Sequence, residues 1–433
     1  MITTVDRRKL CDTSANTMKL IVLLLTIAVA LAGAEKATFK NYRVFRIVPK
    51  NARQLEVLKR LDDQSEGFSY WKAPSRLEQT VDLMVSPDQM ADFARLMNDT
   101  GTPYETYIGD VQSLIENENP PTRESGFGWT RYHSLEEIYS WLDSLAQRYP
   151  GKVELLSPGE TYEGRQIRGV KLSFGPTDKP AVFVEGGIHA REWISPATVT
   201  YLIGEFLTSD DPEVRALAEA YDWFLFPNFN PDGYVYTHTR NRLWRKTVSR
   251  TSFFCMGSDI NRNWGYMWMK GGASRNPCAE TYAGRGPFSE VETRSMSRYI
   301  SSIGDKLFAY IAFHSYSQLL LFSYGHTRRH LDNYDESYAM GTKAIEALAR
   351  RNGTKYKTGN IAETIYVATG SSMDWVKATL KVPVAFTYEL RDTGKHGFIL
   401  PADQIVPNGQ EVLDSLVAMF KEASRFGYPK PHQ

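Results

Sequence analysis

Cysteine is scarce, with three among 433 residues. That is too few for a disulfide-dense scaffold or a multi-cysteine metal cluster. An excess of charge is missing too, because 51 Lys and Arg oppose 50 Asp and Glu, a formal charge of +1. A balanced chain has no general electrostatic attraction for nucleic acid, and no nucleic-acid partner is expected. The chain carries no internal repeat and no low-complexity tract. Hydrophobic residues at 42% and charged residues at 23% exclude wholesale disorder. At roughly 150 residues per domain, the length allows two or three domains with their own cores.

Long hydrophobic runs are limited to one, Leu20 to Leu31, reading LIVLLLTIAVAL. It is shorter than the ~20 residues of a membrane-spanning helix. Lys19 precedes it and Ala32-Gly33-Ala34 follow, the pattern of a secretory signal removed after Ala34. Residues 1–34 are therefore expected to be a signal region, with Met18 as the physiological start. The expected location is secreted and extracellular, with no membrane attachment after removal. Cys11 falls in the discarded piece, which leaves Cys255 and Cys278. That pair suits one disulfide in an oxidising compartment, or two buried free thiols. Asn98-Asp99-Thr100 and Asn352-Gly353-Thr354 are glycosylation sequons compatible with export.

From Tyr42 the chain reads as strand, helix, strand, helix, strand: Tyr42 to Pro49, Ala52 to Leu61, Val81 to Val85, Pro87 to Met97 and Tyr104 to Ile108. That is a small α+β unit. The polar tract Glu116 to Ser125 (ENENPPTRES) then reads as an exposed linker, with Arg123 a natural point for trypsin-like cleavage. Downstream, amphipathic helices alternate with buried-looking strands. The helices are Ser134 to Gln147, Pro196 to Leu207, Ser289 to Ile303, Tyr338 to Arg351 and Gly409 to Ala423. The strands are Ala181 to Glu185, Trp223 to Pro227, Leu307 to Phe313 and Val384 to Glu389. The fold class is α/β, with a mixed, mostly parallel twisted sheet covered by helices on both faces. Ser289 to Glu292 is expected to form a capping box. Chemistry is expected at the carboxyl edge of the sheet.

His189 and Glu192 follow the strand AVFVEGG and can turn toward one point, as zinc ligands do; His-x-x-Glu pairs also occur as surface pairs and helix caps. His314 ends the strand LFAYIAFH, either as a satisfied structural residue or as the third protein ligand that a zinc hydrolase needs. Glu389 emerges from another buried strand, so its charge must be paired, metal-bound or catalytic. It could pair with Arg391 or Lys395, or accept a proton from a metal-activated water and hand it to a leaving amine. Arg245 in NRLWRK and Asn261-Arg262 in DINRNW form a cationic group, either as solvated surface residues or, since arginine's planar fork fits a carboxylate, as a binding group.

The elements HARE, NPDG, WRK, DINRNW, CAETYAG, PFSE, FHSYSQ, TIYVATGSSMDW and ELRDTG run in this order through the chain. In order and approximate spacing they resemble the secreted zinc metallocarboxypeptidases of the pancreatic A/B group. The resemblance implies a ferredoxin-like pro-domain with its linker over 35–123 and a zinc carboxypeptidase domain over 124–433. It implies one zinc ion held by His189, Glu192 and His314; carboxypeptidase A is itself a standard example of this His₂Glu set. Glu389 resembles the general base and Arg245 the group that stabilises the oxyanion. Asn261, Arg262 and Tyr366 resemble the clamp on the substrate's terminal carboxylate. Arg191 resembles a residue supporting the neighbouring subsite, and Asp259 the carboxylate that orients His189. Cys255 and Cys278 match the family's disulfide, and Tyr316 and Phe398 its substrate-lining aromatics.

Specificity is expected from the pocket floor. Met373 stands where basic-specific members carry an aspartate, with Asp374 one residue away matching a structural aspartate of the family. A thioether suits apolar or aromatic C-terminal residues. Ile361, Ala368 and Thr387 are expected to line the same pocket. The resulting expectation is a secreted, monomeric zymogen, cut near Arg123 by a trypsin-like protease, that trims peptide and protein C-termini. One alternative is a non-catalytic binding protein on the same fold, which would normally lack a ligand or the base; none is missing. Another is a zinc hydrolase of small acylated amino acids, disfavoured by the pro-unit and the Asn261-Arg262 pair.

Overall fold

The computed structural model describes residues 35–61, 67–121, 126–175 and 179–429. The signal region, Met18, Cys11 and Arg123 lie outside them. The first unit runs β1 (Arg43–Ile47), α1 (Ala52–Leu61), β2 (Phe68–Lys72), β3 (Val81–Val85), α2 (Met90–Thr100), β4 (Tyr104–Ile108) and α3 (Val111–Glu118). Its strands form an antiparallel sheet in the order β2-β3-β1-β4, the ferredoxin-like arrangement. Phe45, Leu58, Val81, Leu83, Phe93 and Met97 fill the space between sheet and helices.

Two elements of this unit go beyond the expected set. β2 is an edge strand whose sequence FSYWK lacks the alternation that marks a half-buried strand. α3 arises because Asp110 caps it, accepting a hydrogen bond from the Ser113 amide at 3.0 Å. The helix runs through Glu118, whose side chain is buried. Glu116 to Glu118 is therefore helix, with Glu116 and Asn117 exposed as expected and Glu118 buried, which corrects the linker reading of the tract at its first three residues.

The second unit contains β5 (Val153–Leu156), β6 (Gly169–Leu172), β7 (Ala181–Glu185), β8 (Asp222–Phe226), β9 (Leu307–His314), β10 (Leu319–Phe322), β11 (Lys357–Asn360) and β12 (Val384–Glu389). Its helices are α4 (Leu135–Arg148), α5 (Ile194–Thr208), α6 (Pro212–Ala220), α7 (Pro231–Thr239), α8 (Val291–Ser302), α9 (Tyr334–Asn352), α10 (Ile361–Thr364), α11 (Ser372–Thr379) and α12 (Ile405–Arg425). The eight strands lie in the order β11-β10-β12-β9-β7-β8-β6-β5. The central four, β12-β9-β7-β8, are mutually parallel, and antiparallel pairings occur toward the edges.

Alternation along β7 explains the layering. Val182 and Val184 face a core shared with α4, α5, α9 and α12, while Ala181 and Phe183 face a second core with Met296 and Ile300 of α8 and Trp375 of α11. A strand buried on both faces reads as a continuous apolar run. The expected capping box at Ser289 does not form. α8 begins at Val291 with Glu290 as its N-cap, and Ser289 Oγ accepts from Asn263 Nδ2 at 2.9 Å. Glu292 Oε1 accepts instead from the Tyr162 amide at 3.0 Å, which removes the reciprocal half of the box. No helix among the described residues is long and apolar enough to cross a membrane.

Candidate active site and metal centre

Three parallel strands deliver the acid and imidazole groups to one edge. β9 ends at His314 and β12 at Glu389, which are register partners. β7 ends at Glu185, and the chain turns through Gly186-Gly187 to reach His189. Gly187 has φ +64°, and a Cβ there would lie 3.1 Å from the Asn228 side chain, so the turn requires glycine. Ser195 ties this loop to β9: its hydroxyl accepts from the Gly187 amide at 2.9 Å and donates to the Phe313 carbonyl at 2.5 Å. His189 and His314 are thereby brought together.

His189 Nδ1 lies 2.8 Å from Glu192 Oε1 and 3.1 Å from His314 Nδ1, and His314 Nδ1 lies 3.2 Å from Glu192 Oε2. All three side chains are buried. Two imidazole nitrogens this close, with a carboxylate beside them, need a shared proton or a cation between them. For tetrahedral zinc with bonds of 2.0–2.1 Å, neighbouring donor atoms stand about 3.3 Å apart, so the donor set fits. His189 Nε2 lies 3.3 Å from Asp259 Oδ1, an arrangement that leaves Nδ1 free for the metal. The Ser315 amide donates to Glu192 Oε2 at 3.1 Å.

The surrounding charges are mutually arranged. Arg245 donates through Nε and Nη2 to Asp259 Oδ2 at 3.1 and 2.8 Å. Burial would raise the Asp259 carboxyl, but Arg245 and His189 hold it well below the usual range. Burial likewise opposes ionisation of Glu192, yet the charge and hydrogen bonds of the two histidines hold it low. Glu389 is different: burial, with the Glu192 charge adding to it, pushes its carboxyl up to about 8. It makes no ion pair with Arg391, which instead clasps Glu411 at 2.7 and 2.5 Å.

A cavity of about 590 Å³ collects Glu389, Arg245, Asn261, Arg262, Tyr366, Arg191, Tyr316 and Phe398 around the metal residues. Met373, Ile361, Ala368 and Thr387 line the same cavity. The Thr387 hydroxyl lies 3.2 Å from Met373 Sδ. Asp374 is spent elsewhere: its carboxylate accepts from the Gly325 amide at 3.0 and 2.9 Å. Arg191 is buried, paired with Glu280 at 3.0 Å and stacked 4.1 Å from the Phe398 ring centre. Cys255 and Cys278 are joined as a disulfide.

The first unit roofs this cavity. Trp71, Lys72 and Arg76 line it from above, and Trp71 packs on Phe398 with ring centres 5.5 Å apart. Asp82 on β3 is held by Arg46 at 2.7 and 2.8 Å and accepts from the Tyr316 hydroxyl at 3.0 Å. Glu118 at the end of α3 accepts from Arg242 Nε at 2.7 Å and also from its Nη2, with both side chains buried. Neither Asp82 nor Glu118 was singled out in the sequence. Both sit in stretches whose local composition is ordinary for a strand and a polar linker. Glu185 and Ser372, joined by a hydrogen bond of 2.8 Å, were missed as well.

Comparison with known proteins agrees with this geometry. Residues 138–415 match the zinc carboxypeptidase family and residues 45–118 the carboxypeptidase activation peptide. Zinc carboxypeptidase A 1 of Anopheles gambiae is 46% identical, over 94% of this chain and 95% of its own. Carboxypeptidase B of Astacus astacus is 45% identical, over 66% of this chain and 95% of its own. The crystal structure of the carboxypeptidase A from Helicoverpa armigera superposes with a TM-score of 0.82 at 25% identity, covering 90% of this chain and 99% of that one. The chain belongs to the zinc carboxypeptidase family, as a carboxypeptidase A-like metalloexopeptidase with its activation peptide and the zinc triad His189, Glu192 and His314.

Proposed function

We propose that this is a secreted zymogen whose enzyme unit, residues 124–433, removes apolar or aromatic residues from peptide and protein C-termini. Residues 1–34 act as the signal, and residues 35–123 as the activation unit with its linker. A trypsin-like protease cuts near Arg123, and the enzyme works as a monomer on extracellular substrates.

The observation that carries this is one cavity holding a metal triad, the carboxyl of Glu389 and an arginine-asparagine pair. Zinc, when bound by His189, Glu192 and His314, supplies Lewis-acid polarisation and lowers the pKa of water. Arg262, Asn261 and Tyr366 bind the terminal carboxylate and set the last peptide bond beside the triad. Glu389 takes the proton from the attacking water and returns it to the departing amine. Arg245, aligned by Asp259, faces the negative charge that develops on the carbonyl oxygen. Met373 at the pocket floor, with Asp374 already satisfied by Gly325, supports preference for uncharged side chains.

Cleaved protein should be incubated with peptides ending in Phe, Leu, Lys or Glu, with and without a chelator. Release of Phe and Leu that the chelator abolishes is expected. Release of Lys as the preferred residue would overturn the specificity, and release that survives chelation would overturn the zinc chemistry.

A further inference from the structure

Two strands of the central sheet end in an acid, Glu389 half-buried and Glu185 buried. Glu389 closes β12 and takes part in the proposed chemistry. Glu185 closes β7, is fully buried, and makes no ion pair with Lys or Arg among the described residues. A carboxylate in such a place is costly unless its oxygens are occupied. Two hydroxyls occupy them: Tyr310 Oη donates to Oε2 at 2.6 Å and Ser372 Oγ donates to Oε1 at 2.8 Å. Tyr310 is itself fully buried on β9, so this end of the network is fixed.

The other end reaches the cavity. Ser372 is the first residue of α11, and its backbone amide donates to Asn261 Oδ1 at 3.0 Å. Asn261 is held a second time by its own amide, which donates to Asp259 Oδ1 at 2.9 Å. With Oδ1 turned to Ser372, Asn261 Nδ2 points back toward the triad, 3.4 Å from His314 Nε2. A histidine that meets metal through Nδ1 carries its proton on Nε2, so those two nitrogens are both donors and do not bond. The Nδ2 donor is left for a ligand.

We propose that Glu185 is a positioning residue for recognition of the substrate's terminal carboxylate. By accepting the Ser372 hydroxyl it pins the start of α11. Through the Ser372 amide it sets which end of the Asn261 side chain faces the carboxylate. The inference rests on Asn261 being part of the clamp proposed above. A role in core packing alone would be served as well by an apolar side chain of similar volume.

The test uses processed, zinc-loaded enzyme carrying Glu185→Met, Glu185→Gln, Ser372→Ala or Asn261→Ala. Readouts are KM and kcat on a peptide ending in Phe, the Kd of hydrocinnamate, zinc content and the thermal midpoint. Glu185→Met should raise KM and the hydrocinnamate Kd about five- to tenfold, the scale of one misplaced hydrogen bond, with kcat within about twofold. Glu185→Gln still accepts from Ser372 and should return both constants to within about twofold of the parent. In an Asn261→Ala background, Glu185→Met should add no further loss of ligand affinity. Should Glu185→Met fail to fold, Ser372→Ala asks the same question and should weaken hydrocinnamate about two- to fivefold. Lower kcat, zinc and thermal midpoint with an unchanged hydrocinnamate Kd would make Glu185 merely structural and overturn the proposal. Unchanged hydrocinnamate binding in Asn261→Ala would overturn the clamp itself, and the proposal with it.

Discussion

The floor and the roof of the cavity handle charge in different ways. On the floor, the charged groups around the triad pair within the enzyme unit: Asp259 with Arg245 and His189, Arg191 with Glu280, and Glu192 with the two histidines. The roof is attached by contacts that cross between the units: Asp82 to Tyr316, Trp71 to Phe398, and Glu118 to Arg242. Removing the roof takes nothing from the metal triad and exposes the aromatic walls. Latency in such a design comes from covering a finished site, since the floor is already assembled beneath its cover.

The largest expected effect breaks the floor without touching the roof. Glu389→Gln keeps the shape of the side chain but cannot accept the proton, and general-base loss costs about a hundred- to ten-thousandfold in kcat. Zinc content and affinity for the severed activation unit should stay as in the parent. Peptidase assay and metal analysis check this, and near-parental activity would remove Glu389 from the mechanism. The next effect breaks the roof without touching the floor. Glu118→Ala leaves Arg242 buried without its carboxylate, and removing one partner of a buried pair costs about 3–5 kcal/mol. Among the described residues, Arg242 retains only the Arg191 and Phe398 carbonyls, at 2.8 and 2.9 Å, and the Trp193 ring. Binding of the separated activation unit, measured through inhibition of the mature enzyme, should weaken by orders of magnitude while kcat is unchanged. Equal inhibition by parent and variant units would show that the pair does not hold the roof.

Floor and roof were unequally legible in the sequence. His189, Glu192, His314 and Glu389 stand at strand ends inside motifs, where a polar residue interrupting an apolar run draws notice. Glu185 ends AVFVE in the same manner, and the cost of an unpaired buried acid applied to it equally; its neighbours in the His-Ala-Arg-Glu motif drew the attention instead. The roof is written in residues of different segments that meet only after folding. Glu118 lies in a run of Asn, Glu and Pro that locally favours solvent, yet Arg242, distant in sequence, buries it. Helix ends showed the same limit: the box expected at Ser289 is lost because Asn263 takes the Ser289 hydroxyl and the Tyr162 amide takes Glu292.

A smaller effect sharpens the account of the floor. Met373→Asp places a carboxylate in the pocket while Asp374 remains bound to Gly325. The ratio of kcat/KM for a C-terminal Lys over a C-terminal Phe should rise about ten- to a hundredfold. Inhibition by the activation unit should not change, because Met373 has no contact with the roof described above. A ratio that stays put would mean that the terminal side chain rests elsewhere in the cavity.

The smallest effect lies outside both regions and tests whether they are as separate as the contacts imply. Glu137 on α4 accepts from Arg131 at 3.1 Å and 2.5 Å and from the Ser134 amide at 2.8 Å. The Arg131 hydrogen bonds are the main reason its carboxyl is held down, at about 2, with the Ser134 amide adding to them. A carboxyl whose affinity for protons falls on folding stabilises the fold above its ordinary value near 4.5, and that contribution is lost as pH drops toward about 2. The side chain is 41% exposed, so solvent screening reduces the contribution to about 0.5–1 kcal/mol. Glu137→Gln should therefore lower the thermal midpoint by about 1–3 °C at neutral pH, with the difference closing as acid is added. Catalysis and roof binding should both be unaffected. A Glu137→Gln zymogen that sheds its activation unit faster would mean that the two units are coupled through the body of the enzyme, and that the seam contacts alone do not set how firmly the cover is held.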